Sequence, residues 1–263
     1  MELIFHFMLA LAIIGSQQNA MQASQTARPD KTGDVSNTGL CGGPGNTGRA
    51  TAPLMVAVWQ GNVQDVNKLL FVGSKLNALF SENCTVSGKK ATTTPLIYAI
   101  QAKQAANPHP RSQGMVEFLL EQGADPNLHP AQGMTPLQIA ASLGDVDSVK
   151  TLLVHGARAD DRNEEGDTAL LIAARQANGA AMIQQLVDSG ANLHAVNKSG
   201  DNAVMLAAQQ DQLENVKYLV GLEVEPCLKD HDGKTAIDLA QENKKDDPAK
   251  QEIITLLKTK CGS

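Results

Sequence analysis

Six alanines recur along this chain at a spacing that narrows sharply what it can fold into. Ala57, Ala99, Ala140, Ala173, Ala207 and Ala240 each stand three residues after an apolar residue that follows Pro or Ala. An apolar pair follows each alanine 12 to 20 residues later: Leu69-Leu70, Leu119-Leu120, Leu152-Leu153, Leu186-Val187, Leu219-Val220 and Leu256-Leu257. Successive alanines are 42, 41, 33, 34 and 33 residues apart. A period near 33 marks a stacked array of helical units, each of which buries its apolar face by packing on its neighbours. Such a core grows in one dimension, so length no longer sets a domain count.

Composition agrees and removes some functions. Aromatic residues make up 3% of the chain, so alanine, leucine and valine must build the core. Small side chains suit closely layered helices and argue against a wide cavity for a small-molecule substrate. The formal charge of −6 carries no long run of either sign, which argues against a nucleic-acid partner, whose phosphates call for a basic face.

Residues 1–23 read as a secretory signal. Leu3 to Ile14 is a twelve-residue, mostly apolar stretch, too short to cross a bilayer as a helix, and a polar stretch follows it. Two features depart from the usual signal: no Lys or Arg precedes the apolar run, and Glu2 has the wrong sign. Cleavage after Ala20 or Ala23 leaves a chain with no stable membrane insertion; an uncleaved anchor or a mispredicted start is the competing reading. Ser16 stands where a lipoprotein signal needs its acylated Cys. Residues 24–50 form a Gly/Ser/Asn-rich arm without helical period. Within it, Gly43 to Ala50 mimics a phosphate loop only superficially, with Arg49 in place of Lys and no preceding strand.

Four cysteines lie beyond the signal: Cys41, Cys84, Cys227 and Cys261. None is in a CxxC pair, which disfavours zinc. In an exported protein an even count suggests disulfides. Three pairings are possible and the sequence does not choose among them; Cys41–Cys84 with Cys227–Cys261 is favoured because each pair links neighbouring units. Free thiols are the competing reading.

From Thr51 onward the local chemistry repeats. Thr94-Pro95-Leu96, Thr135-Pro136-Leu137, Thr168-Ala169-Leu170 and Thr235-Ala236-Ile237 combine a hydroxyl that caps free N–H groups with a residue suited to the first helical turn. The next apolar residue and the alanine three later share a face. Gly61 and Gly144 mark a turn, and Gly73, Gly123, Gly156 and Gly190 stand just beyond four second helices. Polar segments follow, in which Asn or Asp precedes Gly by three residues, the mark of a tight hairpin tip.

On these residues the chain resembles an ankyrin-repeat protein over about residues 51–263, most closely from Met134 to Gly166. The resemblance implies an all-α ankyrin-repeat solenoid of about six helix-turn-helix units with short β-hairpin finger loops. The units run about 51–91, 92–133, 134–166, 167–200, 201–233 and 234–263. The family's usual His after Thr-Pro-Leu is replaced throughout, by Met55, Ile97, Gln138, Leu171, Met205 and Asp238. Its loss is expected to remove a hydrogen-bond link between units. Two insertions break the period: nine residues between Asn77 and Thr94, carrying Cys84, and eight around Asn107 to Arg111. The last unit has the polar outer aspect of a cap, with Asp247 and Pro248 restarting its second helix.

No residue set carries chemistry. His109, His129, His155, His194 and His231 fall in different places without helical pairing, and His6 lies in the signal, so no metal site is expected. No G-x-S-x-G elbow is present. The carboxylates Asp160-Asp161 and Glu164-Glu165 read as solvated loop charge. No catalytic residue, cofactor or metal is expected.

What the resemblance implies instead is recognition of another protein by the exposed ends of the first helices and by the finger tips. The helix positions are Trp59, Gln60, Gln101, Ser142, Leu143, Arg175, Gln176, Gln209 and Gln210. The finger positions are Arg162, Glu164, Asp167, Lys198, Asp201, Lys229, His231 and Lys234. The expected role is a non-catalytic protein-binding module, periplasmic or secreted and monomeric alone, that neutralises a toxin or enzyme as an immunity protein would. The alternatives are a periplasmic scaffold for an enzyme or envelope component, and an exported effector acting on host proteins.

Overall fold

The computed structural model describes residues 53–86, 89–103, 114–130, 133–177, 179–242 and 248–262. The described stack belongs to the compact unit Cys41–Ser263. Its helices come in pairs. They are α1 (Pro53–Trp59) with α2 (Val63–Phe71), α3 (Pro95–Lys103) with α4 (Met115–Glu121), and α5 (Pro136–Ser142) with α6 (Val146–Val154). Then come α7 (Ala169–Ala174) with α8 (Ala180–Asp188), α9 (Ala203–Gln209) with α10 (Leu213–Gly221), and α11 (Ala236–Glu242) with α12 (Pro248–Cys261). Successive first helices pack on one another from α1 to α11, and second helices do so from α4 to α12.

The six alanines lie where the first helices meet. Ala57 is 5% exposed and the other five are fully buried. A methyl group at each lets the next layer approach closely. A first helix has a neighbour on either side and its own second helix behind it, so it is apolar nearly all round; all six residues of α7 are buried. The second helices face solvent and are amphipathic. In α6, Ser148, Val149 and Leu152 are buried while Asp147, Lys150 and Val154 are exposed.

The helix starts follow the local chemistry of the sequence. Thr94, Thr135 and Thr168 accept hydrogen bonds through Oγ1 from the N–H of Ile97, Gln138 and Leu171. Asn202 does the same for Met205 through Oδ1. At the other ends, Gly73, Gly123, Gly156 and Gly190 have φ between +86° and +95°.

The expected loss of links between units is corrected at one of the six positions. Gln138 stands where the family has His, and its Nε2 donates to the carbonyls of Asp161 (2.8 Å) and Asp167 (3.1 Å) in the following finger. The Gln138 amide is long enough to span from helix start to finger, so it carries that link without an imidazole. Within its own unit, the helix cap Asn202 donates through Nδ2 to the Glu225 carbonyl (2.8 Å).

A second set of links runs through the residue four positions after four of the five left-handed ends. Asn77 Nδ2 donates to the Gly123 carbonyl, and its Oδ1 accepts from Asp125 N–H. Asn127 repeats this with the Gly156 carbonyl and the Arg158 N–H, and Asp160 accepts from Asn192 N–H. At the same position after Glu223 stands Cys227, which forms a disulfide with Cys261 at the end of α12. The favoured Cys227–Cys261 pairing is therefore observed. Cys41 and the side chain of Cys84 lie outside the described residues.

The finger tips are tight turns closed by backbone bonds, such as Gly166 N–H to the Asn163 carbonyl and Asn163 N–H to the Asp167 carbonyl. Among the described residues, strand pairing occurs only in the first insertion. There β1 (Phe80–Val86) runs antiparallel to β2 (Lys89–Thr93), with Phe80 opposite Thr93 and an irregularity between Ser81 and Thr85. The second insertion and Asp247 lie outside the described residues. No described helix is long and apolar enough to cross a membrane.

Candidate functional site

Two residues past each buried alanine, the first helices bring one side chain per unit to the same edge. The row is Trp59, Gln101, Ser142, Arg175, Gln209 and Glu242. The helical repeat sets this: a residue two positions on lies about 200° round the helix, so it leaves the packed face that the alanine occupies. Gln60, Gln101, Gln209 and Gln210 are exposed, Ser142 and Gln176 are half-buried, and Leu143 keeps 39% of its surface exposed. The Ser142 hydroxyl donates to the Ile139 carbonyl of its own helix, so its donor is already engaged.

At the N-terminal end of the row, Trp59 is half-buried against Tyr98, with ring centroids 5.1 Å apart and planes tilted by 41°. Tilted pairs at this distance are favourable beyond their buried area. Sequence reasoning named Trp59 but missed Tyr98. Its only signal was an aromatic residue immediately before Ala99, where the other units carry aliphatic side chains.

In the middle of the row, Arg175 Nη1 donates to Asp167 Oδ2 at 2.5 Å. Asp167 was expected at a finger tip, but its side chain is 3% exposed while that of Arg175 is 32% exposed. The carboxylate lies beneath the guanidinium and fixes it. Arg162 is also committed, since Nη1 donates to the carbonyls of Gly166 (2.8 Å) and Val196 (2.5 Å) in the next finger. At the C-terminal end, Lys234 Nζ lies 2.8 Å from Glu242. The carboxylate beside Lys234 raises its pKa, chiefly through that hydrogen bond.

The fingers are also joined to one another. Lys198 N–H donates to the Glu165 carbonyl and His231 N–H to the Ser199 carbonyl. Gly200 makes the second contact feasible, because a Cβ there would sit 3.0 Å from His231 N and 2.8 Å from its ring. Asp201 Oδ2 accepts from Asn197 Nδ2 within its own turn. The side chains of Glu164, Lys198, Lys229 and His231 project outward and are exposed. Among the described residues, no group of three or more His, Cys, Asp or Glu side chains is placed to hold a metal ion.

The geometry is therefore that of a rigid stack presenting a row of helix ends and a row of cross-linked turns, which defines a repeat scaffold with a surface for macromolecular recognition. The chain belongs to the ankyrin-repeat family: the description "Ankyrin repeats (3 copies)" matches residues 104–196 and 172–262, more than half its length. It is also similar to the human "SH3 and multiple ankyrin repeat domains protein 2", 45% identical over 75 residues. That match covers 28% of this chain and 4% of the relative, so the chain spans only a small part of that protein's length. Ankyrin repeats bind other proteins, and this chain carries a protein-binding module.

Proposed function

We propose that this protein is a non-catalytic binding module that works outside the cytoplasm, in a periplasm or after secretion, by covering the surface of one partner protein. Occlusion of a toxin or enzyme, as by an immunity protein, is the role that such a scaffold serves most directly. The observation that carries the binding reading is the continuous row from Trp59 to Gln210, laid on a face already stiffened by helix and finger links. A stiff surface loses little entropy on docking. The reading of the compartment is supported by the apolar Leu3 to Ile14 stretch and by the Cys227–Cys261 disulfide, a bond that persists in oxidising surroundings.

Affinity purification of the full chain from the envelope fraction of its own cells, after mild crosslinking, tests this. One stoichiometric protein is expected, and Trp59→Ala and Arg175→Ala should each weaken its capture about tenfold or more, as truncation of an interface anchor does. Substitutions of equal size on α6 or α8, such as Lys150→Ala or Gln185→Ala, should leave it unchanged. Recovery of no stoichiometric partner, or equal sensitivity on both faces, overturns the reading.

A further inference from the structure

The terminal disulfide occupies the place of a hydrogen-bonded rung, and this has a consequence for the last layer. The left-handed residues Gly73, Gly123, Gly156 and Gly190 are matched in the fifth unit by Glu223, at φ +61°. Four positions after them stand Asn77, Asn127, Asp160, His194 and Cys227. Asn77, Asn127 and Asp160 reach the chain just beyond the next unit's second helix by hydrogen bonds. Cys227 reaches Cys261, directly before Gly262, whose φ of +63° closes α12 in the same left-handed way.

The rest of the attachment of α12 is confined to one stripe and to one neighbouring layer, with Leu256 partly buried beside the buried residues. Of its fourteen residues, Ile253, Ile254 and Leu257 are buried. The ion pair from Lys217 to Glu252 joins groups that are 43% and 56% exposed, and pairs of that kind contribute little to stability. As the last helix of the described stack, α12 packs chiefly against α10 and α11. Cys227 is exposed and Cys261 half-buried, so a reductant can reach the bridge without unfolding the stack.

We propose that Cys227–Cys261 is a reducible latch on the last layer: reduction frees α12 while the preceding layers stay folded. The reductant is a dithiol. Its thiolate attacks Cys227 Sγ, the S–S bond breaks, and Cys261 leaves as a thiolate that takes up a proton. The reductant's second thiolate resolves the mixed disulfide and releases Cys227 as a thiol. Two electrons pass to the protein, and the dithiol becomes a disulfide. Release of α12 uncovers the sides of α10 and α11 on which it packs and so changes the surface offered at that end of the array. This does not depend on which partner the row of first-helix ends binds.

Hydrogen exchange followed by mass spectrometry on the full chain, with and without dithiothreitol, tests the latch. After reduction is verified by thiol labelling, amides of residues 250–261 should exchange about tenfold faster or more, while those of α5 to α9 change less than about twofold. Cys227→Ser should show the same fast exchange without reductant. Cys227→Asn restores the residue found at 77 and 127, and should hold α12 more slowly exchanging than Cys227→Ser and make it indifferent to dithiothreitol. Unchanged protection of α12 in the fully reduced chain overturns the proposal. Equal loss across α5 to α9 also does so, because the bond would then hold the whole stack. Equal exchange in Cys227→Ser and Cys227→Asn would remove the reading of position 227 as a rung.

Discussion

Glu223 occupies a backbone conformation for which its side chain is poorly suited. Its φ is +61°, where four other units place glycine, and it is exposed. For an L-residue with a Cβ, the left-handed region costs about 1–2 kcal/mol. Glycine removes that cost but loses about 0.5–1 kcal/mol through the greater freedom of the unfolded chain. Relief of strain outweighs that loss, so Glu223→Gly is expected to stabilise the protein by about 0.5–1 kcal/mol. The measurement is urea unfolding: the midpoint should rise with the slope unchanged. A fall in the midpoint would mean that the glutamate contributes something its exposed position does not suggest. Asp211, at φ +55°, is a milder case at the position of Gly61 and Gly144, because aspartate tolerates this region better than glutamate.

At the level of the element, the start of α11 couples the last unit to pH. Thr235 donates to Asp238 Oδ2 through both its N–H (2.8 Å) and its hydroxyl (2.7 Å), while Asp238 N–H donates back to Thr235 Oγ1 (3.4 Å). The backbone N–H and then the hydroxyl of Thr235 hold the Asp238 carboxyl below the usual carboxylate range, with Lys229 and Lys234 adding to the effect. A depressed folded pKa gives stability that is fully present above the unfolded pKa of about 4 and is lost as pH falls through the folded value. Asp238→Asn should therefore be less stable than wild type at neutral pH, and the difference should shrink to nothing in strong acid. Thermal melts from pH 7 down to pH 2.5 read this directly, and a gap independent of pH would assign the effect to packing rather than charge.

The same element shows what the sequence made legible. Thr235, Thr168, Thr135 and the glycines announce the helix ends because capping is local, set by residues three or four apart. The six buried alanines were readable for a similar reason, since their period survives along the chain. The inter-unit contacts were harder to see. Asn77, Asn127 and Asp160 become recognisable as one series only when each is counted from its left-handed residue, and in the fifth unit that residue is a glutamate. Gln138 was read as the loss of a histidine, although an amide at that place serves the same link. Asp167 looked like an exposed finger charge because nothing nearby in sequence revealed that Arg175 folds over it.

Across the whole described stack, one ion pair joins the irregular units to the regular ones. Lys103, the last residue of α3, reaches Asp145 at the start of α6, with Nζ 2.9 Å from Oδ1 and 2.8 Å from Oδ2. The two side chains are 11% and 5% exposed, and Lys103 also donates to Ser148 Oγ at 3.0 Å. The 42-residue separation hid this pair, because the second insertion displaces the period between the partners. In an array, stability is close to the sum of what each unit and each junction between neighbours contributes, so a joint can be weakened without melting its flanks. Removing one partner of a buried pair costs about 3–5 kcal/mol when the other is left uncompensated. Asp145 would retain the N–H and hydroxyl of Ser148, which places Lys103→Ala near the lower limit, about 3 kcal/mol. Trp59 is the chain's one tryptophan and lies in the first unit, so its fluorescence reports the N-terminal end while far-UV circular dichroism reports all the helices. In wild type the two signals should lose structure together. In Lys103→Ala the Trp59 transition should move to lower denaturant and separate from the dichroism transition, because the first two units no longer draw stability through that joint. If both transitions shift together, the packing of α3 on α5 transmits the coupling by itself and the ion pair adds only to overall stability.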